Sequence, residues 1–126
     1  MDTCTVVVGT PGILAPNSDN TMLSSTQAGG QPAIVTVAAT AALYKVDIDS
    51  PTTFTLAPSG GDTDMSYATE FDATGVTTLT DIAAGASVNL NLGVTVLSID
   101  ATAQKTSGIF PAGSYSMSST VECSSI

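Results

Sequence analysis

The sequence predicts an all-β chain folded as a two-sheet antiparallel sandwich of about seven to nine strands, with one disulfide joining the first and last. Three observations carry this. From Ser87 onward Val88, Leu90, Leu92, Val94 and Val96 alternate with Ser87, Asn89, Asn91, Gly93 and Thr95, the period of a strand with one dry and one wet face. Turn-forming residues recur about every ten positions, and no stretch has strong helical periodicity. Cys4 and Cys123 sit near opposite ends, each on the apolar parity of its strand.

The first strand covers Thr3 to Val8, with Cys4, Val6 and Val8 on one side. Gly9 to Pro32 is broken by Pro11, Gly12, Pro16, Asn17, Gly29 and Gly30, a long connection with room for a short edge strand over 21–26. Residues 33–41 form a buried strand: Ile34, Val35 and Val37 are apolar on both parities, and their β-branching outweighs the helical tendency of the alanines. Tyr44, Val46 and Ile48 alternate with Lys45, Asp47 and Asp49 in a half-buried strand that stops at Ser50-Pro51.

Thr53 to Leu56 follows, then a turn at Pro58-Ser59-Gly60-Gly61-Asp62. Met65, Tyr67 and Phe71 mark the next strand, and residues 76–82 a weaker strand or packed loop. The long segment from Ser87 slips phase: its apolar positions are even through Val96 and odd at Leu97 and Ile99. One extra residue sends every later side chain to the other face, so a β-bulge or a change of sheet is expected near Gly93 to Leu97. After Pro111-Ala112-Gly113 the alternation resumes with Tyr115, Met117, Val121 and Cys123 against Ser114, Ser116, Ser118, Thr120 and Glu122.

The 126 residues suit one domain, spanning 1–126, with a core of Val, Leu, Ile and Ala; there is no Trp, and only three Phe and three Tyr. Eleven acids face two lysines, with no Arg and no His, for a net charge of −9. Nucleic acid and anionic lipid both require a basic footprint, so neither is an expected partner. The most apolar interval, 34–44, is too short to span a bilayer, and no membrane insertion is expected.

A bond between Cys4 and Cys123 closes nearly the whole chain into one loop, worth about 5 kcal/mol in the chain-entropy account. The alternative is two buried thiols. The disulfide is favoured because the outer strands of a sandwich lie close together, and it implies an oxidising compartment. Met1-Asp2-Thr3-Cys4 has neither a basic segment nor an apolar run, as in a mature chain after signal-peptide removal. Cys4 lacks lipoprotein cleavage context, so no lipid anchor is expected. The expected location is periplasmic, extracellular or cell-surface.

Catalytic residues are poorly supplied, and no enzyme is expected. Without His, no Ser-His or Cys-His nucleophile forms. Lys105-Thr106-Ser107-Gly108 has the look of a β-lactamase box, but the positions three before the two lysines are Ala42 and Thr102, so its serine partner is missing. Glu70 and Glu122 lie on outward parity and lack the aromatic platforms of a glycosidase cleft.

No cofactor is expected, with Ca²⁺ the one ion considered. Asp62 and Asp64, after Gly60-Gly61, are its candidate ligands, with Asp47 and Asp49 on one strand face nearby. No complete EF-hand spacing exists, and these aspartates equally suit a turn and a solvated face. The Ser/Thr row of the last strand is the wet face of an extracellular strand, or a hydroxyl array for ice, which would need a flat repeat the chain lacks. Edge strands are the remaining lead: with Lys and Arg guards nearly absent, an edge can recruit another chain by β-augmentation.

The opening Cys4-Thr5-Val6-Val7-Val8 and the later Pro111-Ala112-Gly113-Ser114-Tyr115 before a Ser/Thr/Val strand resemble secreted domains of the spore coat protein U and chaperone–usher pilin type. The resemblance covers the two ends, about a third of the chain. It implies an immunoglobulin-like, greek-key sandwich in a bacterial surface fibre. It also implies structural or adhesive work, with other subunits or cell-surface components as partners through edge-strand contact. In the pilin pattern the first-strand cysteine pairs with one at the end of the second strand, whereas residues 33–41 contain none. A binding module for glycan or Ca²⁺ is the second expectation.

Overall fold

The computed structural model describes residues 2–126 and, among them, contains ten strands and no helix. The strands are β1 (Cys4–Val8), β2 (Ala15–Pro16), β3 (Met22–Ser24), β4 (Ala33–Ala39) and β5 (Tyr44–Ile48), then β6 (Met65–Gly75), β7 (Leu79–Ala83), β8 (Val88–Leu90), β9 (Gly93–Lys105) and β10 (Val121–Ser125). They build two antiparallel sheets, one of seven strands and one of three. The predicted fold class holds. The count is slightly higher than expected because β2, of two residues, is an additional strand and the segment from Ser87 divides into two, whereas β3 is the edge strand expected over 21–26.

The large sheet is organised on β9, whose 13 residues alternate between inner and outer faces. Along one edge it pairs with β6 over its length, from Met65↔Lys105 to Gly75↔Thr95. Along the other edge β4 takes the first half, Ala33↔Ile99 to Ala39↔Gly93, and β3 takes Thr102 to Gln104. β1 extends the sheet beyond β4, β7 beyond β6, and β2 beyond β3. The small sheet runs β10-β5-β8.

Between the sheets lies a core including Val37, Val46, Ile48, Phe71, Val88 and Leu97. These side chains alternate inward on strands whose opposite faces carry Lys45, Asp47, Glu70 and Asn89, so burial sets the register. A second core, Leu23, Phe54, Ala103 and Phe110, lies under the far half of β9. It is roofed by loops, with Tyr67 and Tyr115 packing edge-on to Phe54 at 5.5 and 5.1 Å.

Two expectations need correction. The segment from Ser87 is two strands: it leaves the small sheet after Leu90 and enters the large one at Gly93. Thus the phase slip is a change of sheet, completed slightly earlier than expected. Asn91 makes the turn, its backbone N–H donating to Thr77 Oγ1 (2.9 Å) and its side chain to Val76 O (2.7 Å). Gly93 follows at φ 124°, where a Cβ would lie 2.8 Å from Val76. Leu92 and Val94, expected on the dry face, are consequently 61% and 51% exposed.

Thr53 to Leu56 forms no regular strand; Leu56 bridges to Ser116 and Phe54 enters the second core. The last strand is shorter than its alternation, with regular pairing confined to Val121–Ser125. Leu56 meets Ser116 three residues out of the register that pairs Ile48 with Val121 and Asp49 with Thr120, so residues 117–119 have no regular pairing.

Cys4 and Cys123 are bonded, with Cα atoms 6.3 Å apart, joining an edge of each sheet. Replacing both by serine is expected to lower stability by about 2–5 kcal/mol in chemical denaturation. Thr95 sits on the buried face of β9 with a hydroxyl that has no hydrogen-bond partner among the described residues. Thr95→Val keeps its shape and removes the buried polar atom, and is expected to raise stability by about 1 kcal/mol in the same assay.

Candidate functional site

The three strands of the small sheet cover only part of the large sheet's inner face. Beside the disulfide the two layers part, leaving a cleft of about 990 Å³. Val6 and Val8 of β1 form one wall, Ala33, Val35 and Ile99 contribute to its floor, and Met117 to Val121 form the facing wall. Among the described residues none that lines it is charged, although the chain carries −9. Val8 is 72% exposed and Ile13, at the rim, 48%, so apolar surface reaches solvent here.

Both walls present unpaired backbone. Thr40 N–H donates to Thr3 O (3.0 Å) and Gly9 N–H to Ile34 O (2.9 Å). Antiparallel pairs alternate, so Thr5 and Val7 bond to β4 while the backbone groups of Val6 and Val8 point away from it. On the facing wall Ser116 exchanges bonds with Leu56, and Thr120 O accepts from Asp49 N–H (3.0 Å). Among the described residues the backbones of Met117, Ser118 and Ser119 have no main-chain partner. Val121, paired with Ile48 between the bonded positions 120 and 122, likewise turns its backbone outward.

The facing wall is anchored from behind. The Tyr115 hydroxyl donates to Pro111 O, and Ser119 Oγ to Asp49 O. Burial pushes the Tyr115 phenol above its usual range, so it remains a donor. Phe110 stacks edge-on to Tyr115 at 5.3 Å and receives Lys105 Nζ over its ring at 5.5 Å.

The expected metal ligands lie in the loop that roofs the second core. The Asp62 carboxylate accepts from the Thr53 and Tyr67 hydroxyls. The bond from Thr53, then that from Tyr67, hold its pKa below the ordinary range against a small desolvation effect, helped by the Phe54 amide and the Lys105 charge. Burial, followed by the Asp62 bond and charge, drives Tyr67 the other way. Asp64 sits at a left-handed turn position, φ 51°, where its backbone oxygen accepts from Thr106 N–H (2.7 Å). Among the described residues no group of three or more His, Cys, Asp or Glu side chains is gathered for a metal.

Lys105 is the polar residue that sequence reasoning missed. Nearly buried, it donates to Gly60 O (2.8 Å) and Thr63 O (2.7 Å), fixing the Asp62 loop to β9. Its odd parity, continuing Leu97, Ile99 and Ala103, was the available signal. Asp47, expected as a solvated acid, accepts from Ser87 Oγ instead.

Lys105→Met leaves two carbonyls without their donor and is expected to cost about 1–3 kcal/mol by denaturant unfolding. Asp62 contributes stability above the usual carboxylate range, and the contribution falls away as pH drops through its lowered folded pKa. Melting curves are expected to show Asp62→Asn losing less stability than the parent between pH 5 and pH 2.

No helix among the described residues is long and apolar enough to cross a membrane. Comparison with protein-family models, curated proteins and solved structures finds no match to the chain.

Proposed function

We propose that the protein is a non-enzymatic structural or adhesive subunit of a bacterial surface assembly, holding neighbouring protein chains through the open seam of its sandwich. One observation carries this reading: an uncharged apolar cleft lies between the free edge of β1 and the segment leading into β10, where Met117, Ser118 and Ser119 have no main-chain hydrogen bond among the described residues. Apolar floor and unpaired edges together are what β-augmentation uses, the main chain supplying affinity and alternate side-chain sites supplying specificity. Sheet edges in monomeric proteins are usually guarded by charge, and neither wall of this cleft carries any.

The supporting chemistry is consistent with an extracytoplasmic place. A disulfide persists in oxidising compartments, and an acidic surface keeps an exposed protein soluble. The resemblance of the chain's two ends to coat and pilin domains points the same way. The reading as a glycan or Ca²⁺ module draws on Asp62, whose carboxylate is already engaged by two hydroxyls.

Size exclusion with light scattering, and electron microscopy of the same fractions, test assembly on oxidised protein. Defined oligomers or filaments are expected as concentration rises. They should be lost in Val8→Lys and Ile13→Lys, which alter exposed cleft residues while sparing the core. A strict monomer at every concentration would remove self-assembly from the proposal.

A further inference from the structure

Five exposed aliphatic side chains gather at the end of the sandwich opposite the second core. Strand register puts three turns there: residues 40–43 between β4 and β5, 76–78 between β6 and β7, and 91–92 between β8 and β9. Their tips carry Leu43, Val76 and Leu92. Val76 N–H donates to Val94 O (3.2 Å) and Ile126 N–H to Leu43 O (2.9 Å), which sets exposed Val94 and Ile126 beside them.

Polar groups at these tips are already paired within the fold. Asn91 engages both Thr77 Oγ1 and Val76 O, as described above. Thr78 Oγ1 donates to Gly75 O (3.3 Å), and Thr40 Oγ1 accepts from Thr3 N–H (2.7 Å). A turn whose backbone depends on water resists entering an apolar layer; for these groups that cost is absent. Charge is also set back. Asp2 and Lys45 flank this end, while Asp47 and Asp72 lie three positions further along β5 and β6, about 10 Å from the tips. Glu122 pairs with Asp47, and Asp81 N–H donates to the Asp72 carboxylate, so these acids stand back as well.

We propose that this end of the sandwich rests on a neutral lipid surface, its five aliphatic side chains entering the headgroup layer while the strands stay in water. The contact lies on a bilayer and does not cross it, and it is independent of the cleft. The five side chains present on the order of 500 Å², enough for a functional patch but below the roughly 800 Å² per partner of a standard protein–protein interface. Side chains on separate turns also need no rigid complement when the receiving surface is fluid. With a net charge of −9 the protein is repelled by anionic headgroups, so the lipid it fits is zwitterionic.

The probe is a suspension of phosphatidylcholine vesicles, mixed with the oxidised protein and recovered by flotation. The protein should float with them. Leu43→Ser and Leu92→Ser should each weaken partitioning about tenfold. Both side chains are exposed, so the melting temperature should change little. Vesicles with about a third phosphatidylglycerol should bind several-fold more weakly at low salt, and the gap should close as salt is added. The chain has no tryptophan, so an introduced one reports its own surroundings. Leu92→Trp should shift its emission to the blue on vesicles and be quenched by brominated lipid. Ile109→Trp, at a residue equally exposed at 61% but next to the second core, should show neither.

No partitioning of the parent protein, equal quenching at the two tryptophans, or stronger binding to the anionic vesicles at low salt would each overturn the proposal. A lipid-free dimer that Leu92→Ser dissociates would overturn it too, by assigning this end to a second copy.

Discussion

The fold depends on β9 being paired along both edges. A central strand has no free backbone to exchange, so its inner parity dictates what every neighbour must bury. Thr95, Leu97 and Ile99 face the small sheet, while Ala103 and Lys105 face the loop-roofed aromatic cluster. One strand therefore runs through two kinds of interior. Under its first half, sheet packs on sheet. Under its second half, Phe54, Phe110 and Tyr115 do the covering, held by a lysine that ties a loop to the strand.

The cleft follows from that asymmetry. Seven strands offer more inner face than three can cover, and the chain leaving Phe110 must close the gap without a register of its own. Its hydrogen bonds run backward to Asp49, Leu56 and Pro111, leaving the forward side open. The same residues that finish the second core thus create the opening beside the first. Packing and accessibility are two sides of one segment.

Much of the architecture was legible. Tyr44 to Ile48 and Met65 to Asp72 alternate cleanly because one face is wet, and the paired cysteines announced that first and last strands meet. Legibility failed where period-2 reasoning has no purchase. Asn91-Leu92-Gly93 keeps the alternation while reversing the surroundings, and only the asparagine and glycine betray the turn. The stretch from Ser114 looked like a strand because pattern reports a side chain's preference and not whether a partner is present. The cleft itself escaped notice because its walls come from segments far apart in sequence. The Asp62 loop was visible as a turn, but its anchor, Lys105, lies on a different strand.

The disulfide also determines how the molecule bears load. Tension applied between Thr3 and Ser124 enters and leaves on opposite sides of the Cys4–Cys123 bond, which spans 119 positions of sequence. The force runs through that covalent link and bypasses both hydrophobic cores. Stretching between these two residues cannot extend the loop that the bond closes, so the domain behaves as a short inextensible link along that line. Pulled instead from an edge of the cleft, it would yield by the parting of its two layers.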